Sequence, residues 1–212
     1  MILYDYFRSS AAYRVRIALN LKGLSAEHRY IHLRRGDTRS AEYLALNPQA
    51  LVPTLAVEQG VLRQSLAIIE YLDGESPEAP LLPTDRLGLA RVRGLAQLIA
   101  CDIHPINNLR VLEYLRTTLL ADEAQVTQWC KHWITEGLQA LETLLANSTE
   151  TGLFCHGDQP TLADICLVPQ VFSAERFGCD LSQWPTIERI SRHCRSLDAF
   201  IAAEPQRQAD AE

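Results

Sequence analysis

Residues 6–23 read YFRSSAAYRVRIALNLKG, and the change of character within this stretch sets the fold. The apolar and aromatic run ILYDYF (2–7) is strand-like, and it ends at Arg8, Ser9 and Ser10. Directly afterwards Val15, Ala18, Leu19 and Leu21 recur at helical spacing until Gly23 stops the helix. EHRYIHL (27–33) predicts a second strand, and SAEYLAL (40–46) a short helix before Asn47-Pro48. TLAVE (54–58), Gln59-Gly60 and VLRQ (61–64) predict a hairpin, and SLAIIEYLDG (65–74) a closing helix. The order is βαβαββα. A helical crossover between the first two strands and a tight turn between the last two imply a mixed sheet covered by helices, forming one domain over residues 1–80.

The segment GESPEAPLLPTDR (74–86) holds Pro77, Pro80 and Pro83 among charges and reads as a surface linker. From Leu87 onward strand signals stop. Helices are expected over about 87–118, 122–146, 161–176 and 185–203, giving an all-helical domain over 87–212. Thr161 and Asp164 fit a helix capping box. The polar segment EPQRQADAE (204–212) is expected to fray.

The chain has 212 residues and a formal net charge of -6, from 26 acidic and 20 basic side chains, with no basic block. Nucleic acid and anionic membrane are poor partners for such a surface. Six scattered cysteines form no CxxC pair and no zinc-like grouping, so metal binding is not expected and the thiols read as reduced. MILYDYF lacks the features of a signal peptide, and no apolar run approaches the ~20 residues of a membrane helix. A soluble, cytoplasmic protein is expected.

The chemistry gathers at Arg8-Ser9-Ser10. The first turn of a helix offers unpaired amides and partial positive charge, which stabilise an anion or a thiolate. Serine is also a favoured N-cap, and capping alone accounts for one of the two hydroxyls. Other residues break the tie. SSAAYRVRIAL (9–19) resembles the SSC-type motif followed by RVRIAL that marks the zeta class of glutathione transferases. NPQALVPTL (47–55), QSLAIIEYL (64–72), LLP (81–83), CDIHPINNLRVLEYL (101–115), GDQPTLADICLVPQV (157–171) and AERFGCDLSQWPTI (174–187) are similar to this class in the same order, across nearly the whole chain.

The resemblance implies a thioredoxin-like N-terminal domain, an all-helical C-terminal glutathione transferase domain, a homodimer, and glutathione as cofactor. Its sulfur is expected near Ser9, with Ser10 as the second candidate. Val52-Pro53 corresponds to the loop whose proline is cis and whose preceding backbone pairs with the cysteinyl moiety. Gln64 and Ser65 are expected at the γ-glutamyl carboxylate, with Ser65 also an N-cap, and Gln49 at the glycyl end. Asp102, His104 and Asn108 are expected to contact glutathione or substrate, the last two sharing a helix face. Arg8, Arg110 and Arg176 are expected to bind the carboxylates of a small dicarboxylate substrate through the guanidinium fork. Arg14, Arg16, Arg91, Arg93 and Arg116 read as surface charges or internal ion pairs.

The implied reaction is cis–trans isomerisation of maleylacetoacetate to its fumaryl isomer, in tyrosine and phenylalanine breakdown. Maleylpyruvate is the nearest alternative substrate, and conjugation of glutathione to halogenated acids the alternative reaction. The chain departs from the class motif at Ala11, where many members carry cysteine. That departure weighs against chemistry by the protein's own thiol.

Overall fold

The structure, a computed structural model, describes residues 1–212 and divides them into two compact units, 1–81 with 196–212, and 82–195. The expected helical domain therefore ends early. Residues 196–212 cluster with the first unit rather than with the second.

In the first unit β1 (Ile2–Asp5), α1 (Ser10–Leu21), β2 (Glu27–Tyr30), α2 (Ala41–Leu46), β3 (Thr54–Val57), β4 (Gly60–Arg63) and α3 (Ser65–Glu75) follow the expected order. The sheet runs β2-β1-β3-β4; β1 and β2 are parallel, and the other neighbours are antiparallel. Crossover and hairpin thus produce the mixed sheet read from the sequence. Because Val57 pairs with Gly60, the hairpin turn is Glu58-Gln59, one residue earlier than Gln59-Gly60. Leu3, Ile17, Leu55, Ile68 and Leu72 are fully buried between sheet and helices.

The second unit contains α4 (Arg86–Gln97), α5 (Leu109–Thr117), α6 (Glu123–Ala146), α7 (Leu162–Arg176) and α8 (Pro185–Cys194). A single helix over 87–118 does not form. After α4 the chain widens into a π-helical segment, Leu98–Ile103, in which the His104 N–H reaches back five residues to the Ile99 carbonyl at 3.0 Å. A short 3₁₀ turn opened by Pro105 follows. The π segment packs so closely on α6 that a Cβ at Gly137 would collide with the Ile103 side chain. The α7 helix is buried along nearly its whole length, including Pro169, as a helix apolar on all sides should be. The expected helix over 185–203 is also two: α8 stops at Cys194, and α9 (Asp198–Ala203) belongs to the first unit, where it packs on α1.

The capping box forms. Asp164 accepts from the Thr161 N–H, the Thr161 hydroxyl and the Cys155 N–H, each at 2.8 Å, in full burial. Asp164→Ala would strand these donors and is expected to cost about 3 kcal/mol or more, read as a lowered denaturation midpoint.

The segment 204–212 does not fray. Gln208 Nε2 donates to the Ala202 and Glu204 carbonyls at 3.0 and 2.8 Å, and Glu212 meets His32 at 2.9 Å. Polar composition misled here because side chains, not an apolar face, tie the segment down.

Candidate active site

Ser9 stands between β1 and α1 with extended backbone, φ -70° and ψ 114°. Its Oγ accepts from the Ala12 N–H at 3.2 Å, so Ser9 is the N-cap and Ser10 the first helical residue. A hydroxyl has one donor and two acceptor lone pairs. Capping uses one acceptor, and the hydrogen stays available to a sulfur or anion placed over the helix end. The structural and the chemical use of Ser9 are thus compatible.

The turn before Ser9 is fixed from below. Asp5 is fully buried, and its Oδ1 accepts from the Tyr6 N–H and from Arg16 Nη1, each at 2.7 Å. Arg16 Nη2 also donates to the Phe7 carbonyl at 2.9 Å, and His28 Nδ1 lies 3.3 Å from Asp5 Oδ2. Burial alone would raise the Asp5 carboxyl, but His28 and Arg16 outweigh it and hold it below the ordinary carboxylate value. Arg16, read as a surface charge or an internal pair, is the internal pair. Arg8, half-buried, lies with its guanidinium carbon 5.9 Å from the Phe7 ring centroid. No carboxylate takes up its charge, in contrast to Arg16, Arg116 and Arg195.

A second wall comes from residues 47–65. The Val52-Pro53 bond is cis, and the Val52 N–H and C=O make no hydrogen bond within the chain. They are therefore free to pair with an extended ligand as an added strand would. The loop is held by groups that the sequence reading missed. The Tyr43 hydroxyl donates to the Leu51 carbonyl at 2.7 Å, and Asn47 Nδ2 donates to the same carbonyl at 2.8 Å and to Thr54 Oγ1 at 3.1 Å. Tyr43 and Asn47, one helical turn apart at the end of α2, were the only signal. Asn47→Ala is expected to loosen this loop at a cost of about 1–3 kcal/mol and to raise the KM for the thiol cofactor more than it lowers kcat. Steady-state kinetics with a melting curve checks both.

Gln49 and Gln64 meet, Nε2 of Gln64 donating to Oε1 of Gln49 at 2.9 Å. Gln64, not Ser65, occupies the N-cap of α3, with φ 71°. Ser65 is instead the first helical residue, and its buried hydroxyl accepts from Arg14 Nη1 at 3.3 Å. A positive φ places Gln64 outside the helix, where its side chain caps nothing and the first-turn amides stay open. Ala50 and Gln64, the two non-glycine residues of the first unit with positive φ (54° and 71°), flank this wall. Backbone strain of this kind gathers at ligand sites.

The remaining predicted residues lie in the second unit. Asp102 is exposed in the π segment, and His104 sits at its junction with the 3₁₀ turn. Asn108 caps α5 by accepting from the Arg110 N–H at 3.3 Å. His104 and Asn108 therefore do not share a helix face; Pro105 and the Asn108 cap end one helix before the next begins. Arg110 is exposed and its charge is unpaired, while Arg176, in the last turn of α7, lies 4.8 Å from the Phe177 ring centroid.

The family model for the glutathione S-transferase N-terminal domain matches residues 8–75. A maleylpyruvate isomerase from a Ralstonia species is 50% identical over 210 residues, covering 99% of both chains. A solved holo structure of a maleylpyruvate isomerase, described as a bacterial zeta-class glutathione S-transferase, superposes with a TM-score of 0.98 at 50% identity over 100% of both chains. The chain belongs to the zeta class of glutathione transferases. A further neighbour is the maleylacetoacetate isomerase from Methylobacterium extorquens AM1, solved with malonate and glutathione, with a TM-score of 0.97, 41% identity and 100% coverage of both chains.

At position 11 this zeta-class chain carries alanine. All six of its cysteines are free and lie in the second unit, so the unit that carries Ser9 has no thiol of its own. Burial pushes the Cys130 thiol up to about 11 and raises Cys155, Cys179 and Cys194 as well. Thiols so placed stay protonated and inert near neutrality.

Proposed function

We propose that the protein is a glutathione-dependent cis–trans isomerase that converts maleylacetoacetate to fumarylacetoacetate. The observation that carries this reading is the Ser9 hydroxyl, which caps α1 through its oxygen and keeps its hydrogen for a sulfur. The residues fit glutathione: the unpaired Val52 backbone suits its cysteinyl unit, the open amides at Ser65 its γ-glutamyl carboxylate, and Gln49 its glycyl end. When bound, glutathione supplies a thiolate that adds to the conjugated double bond, permits rotation about the resulting single bond, and leaves unchanged as the trans double bond forms.

Ser9 lowers the cost of ionising the thiol by donating a hydrogen bond, aided by the α1 amides and dipole. Ser10 adds a second polar contact at the helix start. Arg8 engages a substrate carboxylate and stabilises negative charge that develops beside it. Arg110 and Arg176 complete the recognition of a dicarboxylate, and Asp102, His104 and Asn108 contribute polar contacts to cofactor or substrate. Each of these assignments has a direct test by substitution.

The malonate and glutathione found together in the M. extorquens isomerase support a thiol-plus-dicarboxylate reading. Maleylpyruvate is the second substrate to test, because the Ralstonia relative bears that name at 50% identity. Conjugation of halogenated acids is the competing reaction, and it differs in consuming the thiol. The assay follows maleylacetoacetate absorbance with and without glutathione while free thiol is measured in the same sample. Glutathione-dependent formation of the fumaryl isomer at constant thiol is expected. No turnover, or turnover only with loss of thiol, overturns the proposal.

A cytoplasmic homodimer completes the reading. Free cysteines suit a reducing compartment, and no helix is long and apolar enough to cross a membrane. Tyr114, Leu119 and Leu120 expose apolar surface that a second copy would cover. Sedimentation should give a single species of two chains, and a monomer would refute it.

A further inference from the structure

We infer that Asp210 is a positioning residue for the thiol-activating turn: from the segment 204–212 its carboxylate holds the Phe7 N–H and so fixes Arg8 and Ser9. This inference rests on the proposed role of Ser9. Phe7 donates its N–H to Asp210 Oδ2 at 3.0 Å, across a sequence separation of 203 residues. The same residue's carbonyl accepts from Arg16 Nη2 at 2.9 Å, and the Tyr6 carbonyl accepts from the Ser9 N–H at 2.9 Å. The backbone just before Ser9 is thus pinned on its donor side by Asp210 and on its acceptor side by Arg16. Without Asp210, one of those two restraints disappears.

The segment that carries this carboxylate is itself held in place. Gln208 bonds two carbonyls of the preceding turn, and the Ala211 N–H returns to the Gln208 carbonyl at 3.0 Å. Upstream, Arg16 Nε donates to the Ala203 carbonyl at 3.1 Å, and Asn20 to the Ala199 carbonyl at 2.8 Å. A side chain carried on a segment so anchored can transmit its position to the backbone it touches. Asp210 Oδ1 is buried without a partner, which is a cost that a merely decorative surface carboxylate would not carry. Burial raises the Asp210 carboxyl, with Asp5 adding to the effect and Phe7 and Arg16 opposing it; Tyr6 and Tyr30 are its other titratable neighbours.

Three full-length variants test the inference. Asp210→Ala removes the acceptor, Asp210→Asn keeps an acceptor oxygen without charge, and Glu212→Ala breaks the neighbouring pairs while leaving Phe7 alone. For Asp210→Ala, kcat/KM near neutrality should fall about tenfold, since small displacements of a reacting group are costly. The midpoint for ionisation of the bound glutathione thiol should move to higher pH, and exchange of the Phe7 amide should accelerate. Asp210→Asn should stay within about twofold of wild type on all three readouts, and Glu212→Ala likewise. If Asp210→Ala leaves the thiol midpoint and the Phe7 exchange unchanged, or if Glu212→Ala reproduces its kinetic loss, the segment is only structural and the inference fails. Should the wild type show no isomerisation, the functional proposal falls, and Phe7 exchange still decides the role of Asp210.

Discussion

Replacing Ser9 by glycine is expected to lower kcat/KM for isomerisation by about 10²–10³-fold with little loss of stability. Both halves of this outcome follow from the two uses of one oxygen. As an N-cap, serine is replaced by glycine at a cost of only a few tenths of a kcal/mol, whereas alanine costs about 1 kcal/mol. As a donor to sulfur, the hydroxyl has no substitute in glycine. Measuring Ser9→Gly beside Ser9→Ala separates the functions: the two should be equally inactive but melt at different temperatures. The pH midpoint for ionisation of bound glutathione should rise in both, because the thiolate loses a hydrogen-bond donor. Ser10→Ala should have the smaller effect. If it carries the large loss instead, thiol activation belongs to Ser10.

Arg16→Met is expected to cost about 3–5 kcal/mol in denaturant unfolding, because it leaves the buried Asp5 carboxylate without its cation. The guanidinium reaches Asp5, Phe7 and Ala203 from separate nitrogens, so Arg16→Lys should not restore the loss. The pH dependence supplies a further test. In the wild type the Asp5 carboxyl lies below its ordinary value, so its contribution to stability is present above that value and is lost as pH falls through the folded pKa. Without Arg16 the carboxyl keeps His28 but loses the guanidinium that opposes its desolvation, so Asp5 should titrate higher than in the wild type. The gain in stability that the wild type shows as pH rises through the carboxylate range should therefore shrink in the variant. Asp5→Asn placed on Arg16→Met should recover part of the loss, and strict additivity would refute the pairing.

The order of elements and the mixed character of the sheet were legible because strand-like runs and helical spacing alternate cleanly in the first eighty residues. Ser9 could be read twice over, as a cap and as a donor, and the structure keeps both readings open. Other features had no such signature. Leu98, Ile99 and Ile103 are as apolar in a π segment as in an α-helix, so the break after α4 had only Pro105 to announce it. Arg14 and Arg16 look like surface charges on an amphipathic helix, yet both are buried, since their partners Ser65 and Asp5 lie on other elements. Gln64 displaced Ser65 from the cap because a positive φ is invisible in composition. Asp210 belonged to a polar stretch whose contacts all lie far away in sequence.

The return of residues 196–212 to the first unit also orders events during synthesis. Residues 82–195 emerge from the ribosome before the segment that completes the earlier domain, so the helical unit has all its own chain while the thioredoxin-like unit still awaits α9 and Asp210. A nascent chain halted before residue 196 would carry the strands, the cis-proline loop and Ser9, yet lack the restraint on Phe7. The half that is made first is the half that is finished last.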